Sequence, residues 1–253
     1  MRIFLKTEDE IILLRAASQL ATRALIEVGR HVVPRLALSH LRNKVVNAVM
    51  RTVPTESNSG KEALSSDTEF TFFVNGAYVE PSLEGECMLC EGDWLTVNCW
   101  VCLDGYYSFG AHTFIVGSSQ DDEPMTSTLI DMLRQVVRRA SAGHSIKEMS
   151  RTVYSLHSHD PYVLQKTFGH GVGRNRVENP ILRMNPGVND TVLLKEGMCL
   201  VIALAFKHGR SHFIKPRLMH ESTFHNPFVP FGTTVVVRPG RPEILTSFET
   251  IVK

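Results

Sequence analysis

An α+β fold is predicted for this chain, with one curved antiparallel sheet covered on one face by helices. Three observations predict it. Helix-like and strand-like stretches fall into separate blocks instead of alternating strictly, which disfavours a parallel sheet. The block order helix, helix, strands occurs twice. The strand-like blocks carry tight-turn signals, of which Asp104-Gly105 is the clearest. No linker rich in Pro, Gly or Ser divides the two repeats, so a single domain is expected over residues 1–253, with pseudo-symmetric halves of about 1–123 and 124–253.

The first helix opens at a capping box, Thr7-Glu-Asp-Glu10: the Thr hydroxyl takes an orphan N–H and the Glu three residues on reaches back. Ile11, Leu14, Ala17, Leu20, Ala21, Ala24 and Leu25 recur at helical spacing, so this helix runs to about residue 29. Pro34 interrupts, and a second helix spans 39–50. Residues 54–68 are small and polar and read as a surface loop. β-branched and aromatic residues dominate 70–74, 94–102 and 106–116, three strands. A helix returns at 124–142, with Leu129, Met132, Leu133, Val136, Val137 and Ala140 on one face. Ser145 and Glu148 form a second capping box, which opens a helix to about residue 156. Strands are expected at 162–168, 198–206, 233–237 and 243–248.

Bulk charge narrows the function. Lys+Arg number 27 against Asp+Glu 26, a net charge of +1, so there is no bulk electrostatic argument for nucleic acid or an anionic membrane as partner. No apolar run approaches the roughly 20 residues that span a bilayer. Acids interrupt the first ten residues before a signal-peptide core can develop, and a cytoplasmic protein is expected. Five cysteines fit reduced thiols better than a disulfide framework. Cys87-x-x-Cys90 and Cys99-x-x-Cys102 have a zinc-like outline, yet Cys99 and Cys102 lie in a predicted strand, where residues three apart point to opposite faces. Gly169, Gly171 and Gly173 outline a phosphate-binding turn but open no helix. Arg134, Arg138 and Arg139 read as a solvated helix face. His157-Ser-His159-Asp160 reads as a polar turn at a helix end.

Several stretches, in order and spacing, resemble type I methionine aminopeptidase, a dinuclear metallopeptidase with the pita-bread (creatinase/aminopeptidase) fold. Ile3 to Ile11 with Leu14-Arg-Ala-Ala resembles the family's opening strand and helix. Leu89-Cys-Glu-Gly-Asp93 is similar to its L-K-D-G-D turn. Asp104-Gly105-Tyr106 and Thr113-Phe-Ile-Val-Gly117 resemble the hairpin that presents a metal carboxylate. Gly169-His-Gly-Val-Gly173 and Glu178-Asn-Pro180 resemble G-H-G-I-G and H-E-x-P. Leu194-Lys-Glu-Gly-Met198 and Glu243 to Phe248 are similar to the lead-in to the third carboxylate strand and to the closing strand.

The resemblance implies two divalent ions, such as Co, Mn or Fe, held by two Asp, two Glu and one His. On the matching positions here stand Asn98, Phe109, His170, Ala203 and Gly232. Four anionic ligands have become an amide, a benzyl ring, a methyl and a hydrogen, and only His170 is of a type that serves. Two adjacent cations need anionic oxygens around them, so no metal cofactor is expected to be retained. Two further His positions, which contact substrate in the family, are matched by Val177 and Glu80; the methionine-pocket loop is matched by the polar run 56–66. The expectation is a homologue without aminopeptidase activity, acting as a peptide- or protein-binding module in the former cleft. Relatives of this fold serve as histone-chaperone domains and as proteins at the ribosomal exit site. Two alternatives stand beside it. One is a metal-free hydrolase, as in creatinase, with His170 and Glu80 as its candidate catalytic groups; the other is a weak residual metalloaminopeptidase. Glu80 with His112 or Glu178 would make an acid/base pair if the fold brought them together.

Overall fold

Thr7 sets where the first helix starts. The Glu10 N–H donates to Thr7 Oγ1 at 3.3 Å, and the Thr7 N–H donates to Glu10 Oε2 at 3.0 Å, closing the capping box. Helix α1 (Glu8–His31) then buries Ile11, Leu14, Ala17, Ala21, Ala24, Leu25 and Val28 along one side. Helix α2 (Leu38–Thr52) buries Leu41, Val45, Ala48 and Val49. These positions come from a computed structural model, which describes residues 2–53, 64–117, 124–159, 167–185, 192–207 and 228–247. The loop expected at 54–68 lies outside the described residues as far as residue 63, and Leu64 bridges Leu103.

Strand β1 (Glu69–Val74) turns through Asn75-Gly76 into β2 (Ala77–Val79). Both turn residues have positive φ, 51° and 80°, as a type I′ hairpin requires. Strand β2 is absent from the sequence reading: three residues show no period, and Asn75-Gly76 was the signal that could have found it. Strands β3 (Trp94–Leu103) and β4 (Tyr106–Ile115) form the long hairpin expected around Asp104-Gly105, with Leu103 opposite Tyr106.

Helix α3 (Pro124–Arg138) and helix α4 (Ile146–His159) follow, and the Ser145 N–H donates to Glu148 Oε2 at 2.6 Å in the second capping box. The strands of the second half are β5 (Thr167–Gly171), β6 (Glu178–Arg183), β7 (Cys199–Lys207), β8 (Phe228–Val236) and β9 (Glu243–Ile244). Expected bounds shift in several places: helix α3 stops at Arg138 and not at 142, and the strand expected at 243–248 is only Glu243–Ile244. The strand placed at 162–168 is found from Thr167 onward and runs through His170, while residues 160–166 lie outside the described ones. Strand β6 was not expected, because Asn179-Pro180 hides its pattern; among the described residues it pairs only with β5, and a sheet edge tolerates proline.

All pairings are antiparallel, in the order β2-β1-β3-β4-β8-β7-β5-β6, with β9 on β8. Read from the edge inward, the first half runs β2, β1, β3, β4 and the second β6, β5, β7, β8. Leu95, Val97, Cys99, Val101 and Leu103 of β3 share a core with α1 and α2. Leu200, Ile202 and Leu204 of β7, with Phe231 and Val235 of β8, share another with α3 and α4. Period two leaves Asn98 and Trp100 of β3, and Val201 and Ala203 of β7, on the face away from the helices.

Where the halves meet, β4 and β8 share one registered pair among the described residues, Ala111 with Gly232. Beside it, side chains replace the ladder. The Phe109 N–H donates to Thr234 Oγ1 at 2.9 Å, and the Thr234 and Thr246 hydroxyls both donate to the Phe109 carbonyl at 2.9 Å. A second tie is ionic. Lys6 Nζ donates to Glu178 Oε2 at 2.6 Å with both side chains at most 5% exposed, and the Lys6 N–H donates to Gly197 O at 2.7 Å.

Removing one partner leaves the other charge buried and unpaired. Lys6→Ala is therefore expected to lower the unfolding free energy by about 3–5 kcal/mol, read by urea titration; a loss under about 1 kcal/mol would mean that water reaches Glu178. A pH effect follows from Glu10. The Thr7 N–H and then the Tyr106 hydroxyl, at 2.7 Å, hold its carboxyl below the usual value of 4.5. The unfolded chain takes up that proton first as pH falls, so this stabilisation is complete above the unfolded pKa and lost in acid. Glu10→Gln should cost stability at about pH 6 and progressively less towards about pH 3. A gap that stays constant with pH would show that the ionised carboxylate is not what stabilises.

Candidate functional site

A cross-strand row runs over the middle of the sheet. Asn98 on β3 faces Ala111 on β4, Ala111 faces Gly232 on β8, and Gly232 faces Ala203 on β7. Residues directly opposite in antiparallel strands project to one side. Here that is the side away from the helices. Two residues along their strands, Trp100 and Phe109 also face each other, with ring centroids 4.8 Å apart. His170 on β5 sits opposite Val201 of β7 and lays its ring parallel to the Trp100 indole, 6.1 Å between centroids and 9° between planes. The fold thus gathers Asn98, Phe109, His170, Ala203 and Gly232 on one surface.

Phe109 occupies the space that a side chain at 232 would need. A Cβ on Gly232 would lie 2.7 Å from Phe109 Cε1 and 3.0 Å from Ala203 Cβ. The Phe109 ring is itself buried, and the threonine hydroxyls hold its backbone.

Two polar groups remain on this surface. Asn98 Oδ1 is buried with no hydrogen-bond partner among the described residues. The His170 Nδ1–H donates to the Gly171 carbonyl at 2.8 Å, which leaves Nε2 as an acceptor in the neutral ring. Burial lowers the His170 pKa below its usual 6.5, against the smaller opposing pull of that hydrogen bond. Arg176, in the turn between β5 and β6, spans the rim. It pairs with Glu69 of β1 at 2.8 Å, donates to the Asp67 carbonyl, and lies over the rings of Trp100 at 5.6 Å and Tyr107 at 5.8 Å.

The donors do not fit a pair of divalent ions. A neutral amide oxygen and a neutral imidazole nitrogen are the available ligands, while Phe109, Ala203 and Gly232 supply none. Among the described residues no group of three or more His, Cys, Asp and Glu is placed to hold an ion. A catalytic zinc-type ion takes about three protein ligands and a water, and two adjacent ions need anionic oxygens.

The other candidates lie apart. Glu80 is exposed at the head of the 3-10 turn Pro81–Leu83, and among the described residues no hydrogen bond or ion pair joins it to His170. Val177 is exposed at the rim. His112 is fully buried on the helix side, between Phe114 and Phe231, and Glu178 is engaged with Lys6, so Glu80 pairs with neither. Cys99 lies in the first core, where burial pushes its thiol pKa up, whereas Cys90 is exposed. The side chains of 157–159 and residue 160 lie outside the described part.

Sequence reasoning missed Trp100 and Arg176. Trp100 was within reach, two residues after Asn98 on the same strand and so on the same face. Arg176 was not, because its partners Glu69 and Asp67 lie over a hundred positions away. Chemically, the surface is an apolar floor with one free acceptor oxygen, one neutral imidazole and an arginine at its lip.

Residues 12–239 match metallopeptidase family M24. Over 255 residues the chain is 26% identical to methionine aminopeptidase of Borreliella burgdorferi, covering 97% of this chain and 98% of that protein. Over 220 residues it is 29% identical to methionine aminopeptidase of Helicobacter pylori, covering 83% and 85%. The crystal structure of methionine aminopeptidase from Thermotoga maritima superposes with a TM-score of 0.76 at 21% identity, covering 97% of this chain and all of that one. At that identity the superposition speaks for the fold alone, and it is the fold that the motifs resemble.

The contact of Phe109 with position 232 can be measured. Gly232→Ala should destabilise by about 1–3 kcal/mol, as overpacking does. In a Phe109→Ala background the same change should cost little, giving a favourable coupling of about 1 kcal/mol or more in a double-mutant cycle. Equal costs in both backgrounds would mean that the ring is not the obstacle.

Proposed function

The chain belongs to metallopeptidase family M24, and from that premise we propose that it is a methionine-aminopeptidase-like member without the dinuclear metal centre. On this reading it does not remove methionine, and the former active-site face receives a peptide or protein segment. The observation that carries the reading is the row Asn98, Ala111, Gly232, Ala203 with Phe109 seated over Gly232. The positions that hold ions in the resembling enzymes are neutral, and the volume of one of them is taken by a ring.

Ligand count supports the loss of catalysis. Metal-assisted hydrolysis needs an ion that polarises the carbonyl and lowers the pKa of a bound water. Two neutral donors hold such an ion weakly. The metal-free hydrolase alternative has less support, since Glu80 is exposed and among the described residues nothing joins it to His170. A binding role is supported by what remains accessible, namely the half-buried Trp100 face, the exposed Val177 and the arginines at 174 and 176, with the buried, unpartnered Asn98 oxygen beneath them. An apolar side chain with an N–H donor beside it complements that surface.

Isothermal titration with Co²⁺ tests the reading. No saturable binding below about millimolar is expected, a free energy of roughly 4 kcal/mol or less, together with no release of methionine from a Met-Ala-Ser peptide. Micromolar binding with methionine release would overturn it. The fourfold variant Asn98→Asp, Phe109→Asp, Ala203→Glu, Gly232→Glu is the positive arm, because Phe109→Asp clears the space that Gly232→Glu needs. A folded fourfold variant that takes up no cobalt would show that these five positions are not the site.

A further inference from the structure

We propose that the groove between α3 and the turn leading into β9 binds the phosphates of a nucleotide. The groove encloses about 770 Å³, and Asp131, Arg134, Val137 and Arg138 of α3 line one bank, with Arg241 and Ile244 among those on the other. It shares no residue with the Asn98–Ala203 row.

Charge is the first argument. Arg134 and Arg138 stand four residues apart and so on one side of the helix. Taken alone they are a solvated helix face. The fold brings Arg241 to the opposite bank, which no helical spacing could reveal. Three guanidinium groups then share the groove with one carboxylate, and Asp131 is already engaged by Arg134 at 2.7 Å. Among the described residues neither Arg138 nor Arg241 makes an ion pair. Like charges gathered from separate elements repel unless an anion joins them. Across the whole chain the net charge is only +1, so this concentration is local.

Geometry is the second argument. The bank that carries Arg241 is stiff: Pro239 and Pro242 fix their own φ angles, and the Arg241 N–H donates to the Pro239 carbonyl at 2.9 Å. A preset backbone lowers the cost of ordering on binding. Guanidinium forks match phosphate oxygens two at a time, which an ammonium does not. A bare phosphate would use only part of a groove this size. Pro242 and Ile244, the latter 40% exposed, offer an apolar surface beside the arginines, as a base or ribose requires. The small patch and the near-neutral chain favour a free nucleotide over a polymer, whose binding draws on an extended basic track.

The full chain is titrated with ADP, with pyrophosphate and with a short single-stranded RNA, by isothermal titration at low and at physiological salt. Saturable ADP binding is expected. Arg138→Gln and Arg241→Gln should each weaken it about tenfold or more, while Arg139→Gln, in the turn just after that helix and outside the groove lining, should change it less than about twofold. Both groove variants alter exposed side chains, and an unchanged melting temperature confirms that they fold. RNA binding that exceeds ADP binding and falls with the same two variants would keep the groove and assign the phosphates to a polymer. Absence of saturable binding for all three probes, or an equal loss in Arg139→Gln, would overturn the proposal.

Discussion

Phe109 sits on a position where nothing larger than a hydrogen fits, and this contact governs the centre of the molecule. The ring lies over Gly232, and its backbone is held by hydroxyls of Thr234 and Thr246 in place of ladder partners. These bonds lie at the seam between the halves, where β4 and β8 share a single registered pair among the described residues. Ring, glycine and threonines therefore depend on one another. A larger residue at 232 moves the ring, a moved ring disturbs the backbone that the threonines hold, and the threonines are what close the seam where backbone pairing stops. An unmade bond on a buried peptide group costs about 1–3 kcal/mol, so the hydroxyls are no ornament.

On the proposed reading, the same contact explains how the scaffold would stand without ions. Four carboxylates gathered on one face repel unless cations sit between them, and such a face links stability to metal binding. An amide, a ring, a methyl and a hydrogen carry no such requirement. Burying the Phe109 ring adds apolar area to the sheet's open face, and the Trp100 and His170 rings extend it. Burial also favours the neutral imidazole, so His170 brings no charge into that surface near neutral pH.

How much of this could be read in the sequence depends on range. Both capping boxes, the helix stripes and the Asp104-Gly105 hairpin are local, and they lie where spacing places them. The five positions singled out by the resemblance lie on strands whose registers place them on one face, although the motif around Gly232 was thin in the sequence. Strand β2 was too short to show a period, and the Asn179-Pro180 pair disguised β6. The rest was hidden because it joins distant residues: Lys6 with Glu178, Arg176 with Glu69, Arg241 with Arg138. Ordinary charged residues at unremarkable positions carry no sign of their partners. Phe109 could be matched to a ligand position by resemblance, but that it fills the space above residue 232 needed coordinates.

Two obstacles guard the face that carries Asn98, Phe109 and His170, and they differ in strength. Arg176 crosses the rim to Glu69 as an ion pair whose side chains are 35% and 49% exposed. Pairs exposed to that degree contribute about 0–1 kcal/mol, because solvent screens them and two long side chains must be ordered. Phe109 is buried against the sheet, and displacing a ring of that kind costs about 3 kcal/mol or more. On the proposed reading, a binding segment therefore displaces Arg176 at far lower cost than Phe109. Contact is confined to the layer above the ring: the Trp100 face, the Arg176 guanidinium and the exposed Val177. On the proposed reading, the ring that stabilises the sheet therefore also limits how deep a partner can go.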